Sequence, residues 1–271
     1  MNGMTGIMNG KRGLIMGVAN NHSIAWGIAQ KLASAGADLA FTYQGEALGK
    51  RVKPLAAELG SDFVIPCDVE DIASVDATIE AIKEKWGKLD FVVHAIGFSD
   101  KNELKGLYAD TTRENFSRTM VISCFSFTEI AKRAAELMTD GGSMLTLTYN
   151  GSQRVIPNYN VMGVAKAALE ASVRYLAADY GPRDIRVNAI SAGPVRTLAG
   201  AGISDARAIF AWNQKNAPLR RTADIEDIGG SALYLLSNLS RGVTGECHYV
   251  DCGFNITSTP TLEVLSKADH D

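Results

Sequence analysis

The chain has 271 residues, 46% of them hydrophobic, and a net charge of −3, enough apolar material for one large core. It has no Lys/Arg-rich run and no basic tail, which excludes nucleic acid as an expected partner. Its apolar runs fall far short of the roughly 20 residues that span a bilayer, and residues 1–10 lack a cationic start and an apolar core, so neither membrane insertion nor secretion is expected, and a cytoplasmic location is.

Strand and helix patterns alternate along the whole chain. Residues 13–18 form a short apolar run bounded by glycine, as a buried parallel strand does. Helical spacing follows over 24–35 and stops at Gly36. A strand is predicted at 38–43, a helix around 47–59, and a strand at 63–65. A helix over 72–86 ends at Gly87, and a strand follows at 89–96. One long helix is predicted over 113–138, a strand at 144–149, and a second long helix over 160–180, broken by Gly181 and Pro182. A strand at 185–190, a helix at 225–236 and a strand at 248–250 complete the pattern. Seven strands alternating with helices across short connections predict an α/β fold: a single-domain, doubly wound, Rossmann-type parallel sheet with helices on both faces, over residues 1–271. The one long irregular stretch, 198–216, reads as a substrate lid or as a mobile surface loop with a short helix in it.

In such a fold ligands bind where the strands end at their carboxyl side. The first such turn runs from Gly17 to Gly27 and is not a clean G-x-G-x-x-G. Gly17 lets a cofactor approach the backbone, while Ser23 and Ile24 open a helix whose N–H groups suit a pyrophosphate. Ser23 also reads simply as a helix cap. Gln44, after the second strand, is neutral and suits a ribose hydroxyl without selecting strongly between NADH and NADPH. Asp68 and Val69 after the third strand bracket an adenine, or Asp68 closes its own turn. The run from His94 through Ile96 to Gly97 forms a wall of mostly small residues. Cys67, Cys124, Cys247 and Cys252 form no CxxC pair and the four histidines no HExxH, so reduced, mostly buried thiols and no metal site are expected.

The segment Tyr159-Asn-Val-Met-Gly-Val-Ala-Lys166 carries the most information. Seven residues make about two helical turns, which sets Tyr159 and Lys166 on one face about 10 Å apart along the axis. Tyr43 and Lys50 share this spacing but lack the position after the fifth strand. A Tyr/Lys pair there resembles the short-chain dehydrogenase/reductase superfamily, in which Tyr-x-x-x-Lys is usual; no tyrosine here has that spacing. The longer spacing, with Tyr149, Ile156-Pro-Asn-Tyr159, Arg186-Val-Asn-Ala-Ile-Ser-Ala-Gly-Pro-Val195, Ser23-Ile-Ala25 and Asp251-Cys-Gly-Phe254, is similar to type I enoyl-acyl carrier protein reductases.

That resemblance implies NADH-dependent reduction of the trans-2 double bond of an enoyl thioester on acyl carrier protein, in a homotetramer. It implies cofactor contacts at Gly17, Ser23, Ile24, Gln44, Asp68, Val69, Ile96, Lys166, Val195, Arg196, Thr197, Leu198 and Ala199. Substrate contacts fall on Ser99, Tyr149, Tyr159 and Met162, and catalysis on Tyr149, Tyr159 and Lys166. Tyr149 also reads as a core aromatic at a strand end. Phe98, Ile203, Ala206, Ile209 and Phe210 are further pocket candidates. The chain departs from the family at Asn150–Arg154, at Ala206 where an aromatic is common, and at Cys252 where glycine is common. A 3-ketoacyl or other carbonyl reductase is opposed by the missing Tyr-x-x-x-Lys. A non-catalytic dinucleotide-binding regulator is opposed by the retained Tyr159 and Lys166. No G-x-S-x-G supports a hydrolase.

Overall fold

The computed structural model describes residues 6–197 and 206–261, with only the backbone of Ala206. Seven strands, β1 (Arg12–Met16), β2 (Asp38–Tyr43), β3 (Val64–Pro66), β4 (Phe91–His94), β5 (Gly142–Thr148), β6 (Ile185–Ala192) and β7 (Cys247–Val250), form one sheet. The order is β3-β2-β1-β4-β5-β6-β7, and every pairing is parallel. The strand order reverses beside β1, which makes the carboxyl ends of β1 and β4 the natural ligand crevice.

Helices cover both faces because every central strand is apolar on both sides. On one face lie α1 (Ile24–Ser34), α2 (Gly45–Glu58) and the last helix, α8 (Ile225–Leu236), around Ile15, Phe41, Leu145 and Ile190. On the other lie α3 (Ile72–Trp86), α4 (Arg113–Met120), α5 (Ser126–Ala135) and α6 (Asn160–Tyr180), around Leu14, Val92, Met144 and Val187. A helix over Ala206–Asn216, α7, follows β6. Gly27 belongs to this packing rather than to a phosphate loop. A Cβ there would stand 2.5 Å from the Ile225 carbonyl oxygen, so α1 and α8 cross at backbone distance. No helix among the described residues is long and apolar enough to cross a membrane.

The expected long helix over 113–138 is not continuous. α4 and α5 are joined by a π-helical turn, Val121–Phe125, and α5 ends at Ala135. A π turn inserts a residue into the helical ladder without changing the apolar periodicity enough to be read, and such turns recur at functional sites. Here it turns Ser123 and Ser126 inward. The Ser126 hydroxyl donates to the Ile122 carbonyl (2.7 Å) and meets His94 Nε2 at 2.9 Å. The other ring nitrogen of His94 lies 3.4 Å from Thr146 Oγ1.

His94 is fully buried, and burial, followed by the charge of Lys166, pushes its pKa down to about 3. An unfolded histidine titrates near pH 6.5. Between those values the unfolded chain binds a proton that the folded chain lacks. The stability this group contributes is therefore full above about pH 6.5 and is lost as pH falls toward about 3, with a limiting slope of about 1.4 kcal/mol per pH unit. Chemical denaturation from pH 7 to 4 should show a flatter acid limb in His94→Gln than in the parent; parallel limbs would refute this account.

Candidate active site

Gly17 follows β1 with φ +100°, and a Cβ there would stand 2.1 Å from the Ala95 carbonyl oxygen. Only glycine lets the β1 and β4 ends close this tightly. The turn beyond it is organised by Ser23, which stands at the N-cap position of α1 without capping the helix. Its hydroxyl accepts from the Ala19 and Asn20 N–H groups (3.0 and 3.1 Å), and its own N–H donates to the Asn20 carbonyl at 3.1 Å. Ser23 thus shapes the loop, and Ile24 is the residue of this pair that lines the cavity described below.

Gln44 and Asp68 stand at the ends of neighbouring β2 and β3, and the Gln44 amide donates to the Asp68 carboxylate at 3.0 Å. Asp68 also closes its own turn by accepting from the Glu70 N–H at 3.0 Å. Both readings of Asp68 are therefore compatible with its position. Val69 is buried below it, and Ile96 packs on the same core face.

The chemistry-bearing groups meet at the end of β5. Tyr149 follows the strand and Tyr159 stands at the N-cap position of α6; their rings stand edge to face, with centroids 5.2 Å apart at 83°. Met162, Ile156 and Leu104 pack against them. A cavity of about 150 Å³ opens here, lined by the two tyrosines and Ile24, by Ala192 and Val195 from the β6 end, and by Phe210 of α7. Thr197 and Ile209 also border it. Arg196 is exposed, its guanidinium 5.7 Å from the Phe210 ring centre. Leu198, Ala199 and Ile203 lie outside the described residues, as does the side chain of Ala206. Of the expected lid over 198–216, the described part is the helix α7.

Lys166, seven residues after Tyr159, is buried and donates from Nζ to the Leu147 carbonyl at 2.9 Å. Burial pulls its pKa down to about 8, against smaller raising effects from Cys124 and Glu170. Tyr159 is pushed well above the ordinary phenol range by burial, then by Tyr149 and Glu170. Burial, with Asp251 adding, raises Tyr149 to about 12. Both phenols are neutral O–H donors at pH 7, and Lys166 is a cation that titrates within reach of physiological pH.

The structure does not bring every expected residue to this cavity. Ser99 faces α4, where its hydroxyl accepts from Thr119 Oγ1 (2.9 Å) and from the Asn115 amide (3.2 Å). Phe98 is stacked against Arg118, its ring centre 4.5 Å from the guanidinium carbon. Sequence reasoning missed Ser123, whose hydroxyl accepts from the Phe98 N–H (2.9 Å) and donates to the Phe98 carbonyl (3.0 Å), fixing the loop after β4. It also missed Glu170. The readable signal was an acid four residues after Lys166, on the same inward face of α6 as Leu169 and Val173. Cys252 has φ +58°, a left-handed backbone that explains why glycine is favoured there. All four cysteines are free, and no cluster of His, Cys, Asp and Glu among the described residues suits a metal.

A family model described as enoyl-(acyl carrier protein) reductase matches residues 17–255. The enoyl-[acyl-carrier-protein] reductase [NADH] 2 of Rhizobium meliloti is 83% identical over 268 residues, covering 99% of this chain and 100% of that protein. The crystal structure of FabI from Candidatus Liberibacter asiaticus superposes with a TM-score of 0.94 at 67% identity, covering 95% of this chain and 100% of that one. The reductase of Anaplasma phagocytophilum, solved in complex with NAD, gives a TM-score of 0.92 at 56% identity, over 96% of this chain and 97% of that one.

Proposed function

This chain belongs to the enoyl-(acyl carrier protein) reductase family, and from that premise we propose that Tyr159 and Lys166, assisted by Tyr149, carry the NADH-dependent reduction of the trans-2 double bond of an enoyl thioester. The observation that carries the residue assignment is the placement of a buried neutral phenol and a buried lysine on one helix, beside a cavity at the end of β5.

The crevice fits a dinucleotide. Gly17 lets the β1 and β4 ends close against each other, α1 begins beyond that turn, and the Gln44–Asp68 pair presents polar atoms at the neighbouring strand ends, where an adenosine would lie. Val195, Arg196 and Thr197 border the opposite end. When bound, NADH supplies a hydride to the β-carbon of the substrate. Negative charge then develops on the thioester oxygen, one conjugated system away, and is discharged when the α-carbon takes a proton from solvent. The Tyr159 O–H donates to that oxygen, and a donor already in place costs no reorganisation as the charge appears. Lys166 would hold the nicotinamide ribose hydroxyls and would keep positive charge near the same oxygen. Tyr149 packs edge-on against Tyr159, restricting the phenol to one orientation and bordering the thioester. Met162 supports the tyrosine ring from below. The acyl chain runs along Ile156, Ile209 and Phe210, the last two on α7, the described part of the proposed lid. The reaction implies enoyl-acyl carrier protein as the partner that delivers substrate, and we extend the proposal to a homotetramer working in the cytoplasm.

The deciding test is loss of NADH absorbance with purified protein and a medium-chain trans-2-enoyl thioester on acyl carrier protein, beside a 3-ketoacyl thioester. Oxidation with the enoyl substrate alone is the expected result. Oxidation with the ketoacyl substrate alone would place the chain among carbonyl reductases. Silence with both, using NADH and NADPH, would leave a binding module.

A further inference from the structure

We propose that Glu170 is a positioning residue for this reaction, its buried carboxylate fastening the end of β5 to the helix that carries Tyr159 and Lys166. The proposal rests on the enoyl reductase reading above.

Glu170 lies one helical turn beyond Lys166 on α6 and is only 6% exposed. An acid is seldom buried so deeply unless its oxygens are paired. One oxygen accepts from the Thr148 hydroxyl at 2.7 Å, and the other from the Gln153 amide at 3.4 Å. These two partners flank Tyr149: Thr148 is the last residue of β5, and Gln153 follows the 3-10 turn at Asn150–Ser152. Lys166 grips the same strand one residue earlier, through the Leu147 carbonyl. Successive residues of the strand end, Leu147 and Thr148, are therefore held by a cation and an anion four residues apart on one helix. This double tie sets the height of Tyr149 against α6, and with it the edge-to-face contact to Tyr159.

The carboxylate also acts through its charge. It favours the ammonium form of Lys166 against burial and helps keep Tyr159 protonated. The other titratable groups facing this pair are Cys124 from the π turn and His94 from β4 on the lysine side. On the carboxylate side they are Cys247 and Tyr249 from β7, with Arg174 on α6 itself. Burial raises Cys124 and Cys247, and Cys247 reaches about 12, so these thiols are neutral at pH 7 and add no competing anion.

Two substitutions separate the roles. Glu170→Met replaces the acid with an apolar chain of similar size and removes both ties. Glu170→Gln keeps an oxygen for Thr148 but removes the charge. With NADH and the enoyl thioester, Glu170→Met should lower kcat on the order of tenfold, the scale of a small misplacement of reacting groups, with the KM for NADH little changed. Glu170→Gln should recover kcat at pH 7 while the alkaline limb of its kcat/KM profile moves to lower pH, a displacement that a purely structural tie does not produce. Parent-like kcat in folded Glu170→Met, or an unmoved limb in Glu170→Gln, overturns the proposal. If Glu170→Met does not fold, the Glu170→Gln limb decides alone. A parent chain inactive on the enoyl thioester would instead refute the function on which the proposal rests.

Discussion

Tyr159→Phe should lower kcat for the enoyl thioester by about 10²- to 10³-fold, the range seen when one preorganised donor to a developing oxyanion is removed. The ring stays, and so does its edge-to-face contact with Tyr149, so the cavity keeps its shape. Only the O–H is lost. Because that bond strengthens in the transition state, the deficit falls on kcat and kcat/KM together and spares the ground state. NADH binding, followed by quenching of protein fluorescence, should match the parent. Unchanged kcat would remove Tyr159 from the reaction. A matching loss of NADH affinity would recast it as a cofactor contact. Tyr149→Phe is the internal comparison: its effect should be smaller, since the role proposed for Tyr149 is to border the thioester and confine Tyr159.

Lys166→Ala should abolish measurable turnover and weaken NADH binding at the same time, which distinguishes it from Tyr159→Phe. The parent's pH profile tests the same residue without changing it. Burial lowers the pKa of Lys166 to about 8, so the cation is present below that value and is lost above it. The kcat/KM profile reports groups of the free enzyme. It should fall through an alkaline limb centred near pH 8, approaching tenfold per pH unit. Lys166→Arg retains a cation throughout this range, and whatever activity it keeps should lack the limb. A parent profile flat to pH 10, or a limb that persists in the arginine variant, would show that Lys166 does not set it.

The order of strands and helices was legible in the chain because each central strand is apolar on both faces and α1, α2, α3 and α6 each stop at or beside a glycine. α3, α6 and α8 occupy the expected spans, 72–86, 160–180 and 225–236. β1 and β4 are shorter than their apolar runs, since Gly17 and Ala95 turn away from the sheet to build the crevice. The Tyr159–Lys166 pair was also legible, as two residue types at a fixed helical spacing after a strand. Spacing along one helix is a local property, and local properties survive in the sequence.

The tertiary structure decided what that pair touches. Nothing local indicates that Tyr149 meets Tyr159 edge to face, that Lys166 reaches the Leu147 carbonyl, or that Glu170 is paired rather than solvated. Each depends on two elements brought together by the parallel crossover from β5 to α6. The π turn was hidden because one extra residue leaves the apolar pattern of α4 and α5 nearly intact. Ser23 and Ser99 look like ligand contacts by position alone, yet the fold gives their hydroxyls partners in their own turn and on α4. By itself the sequence determined the order of the elements, through propensity and periodicity, and its resemblance to a known family singled out the Tyr159–Lys166 pair. Packing across the sheet decided which polar atoms are paired, which are desolvated and which face the cavity, because hydrogen bonding and burial are set by neighbours distant in the chain.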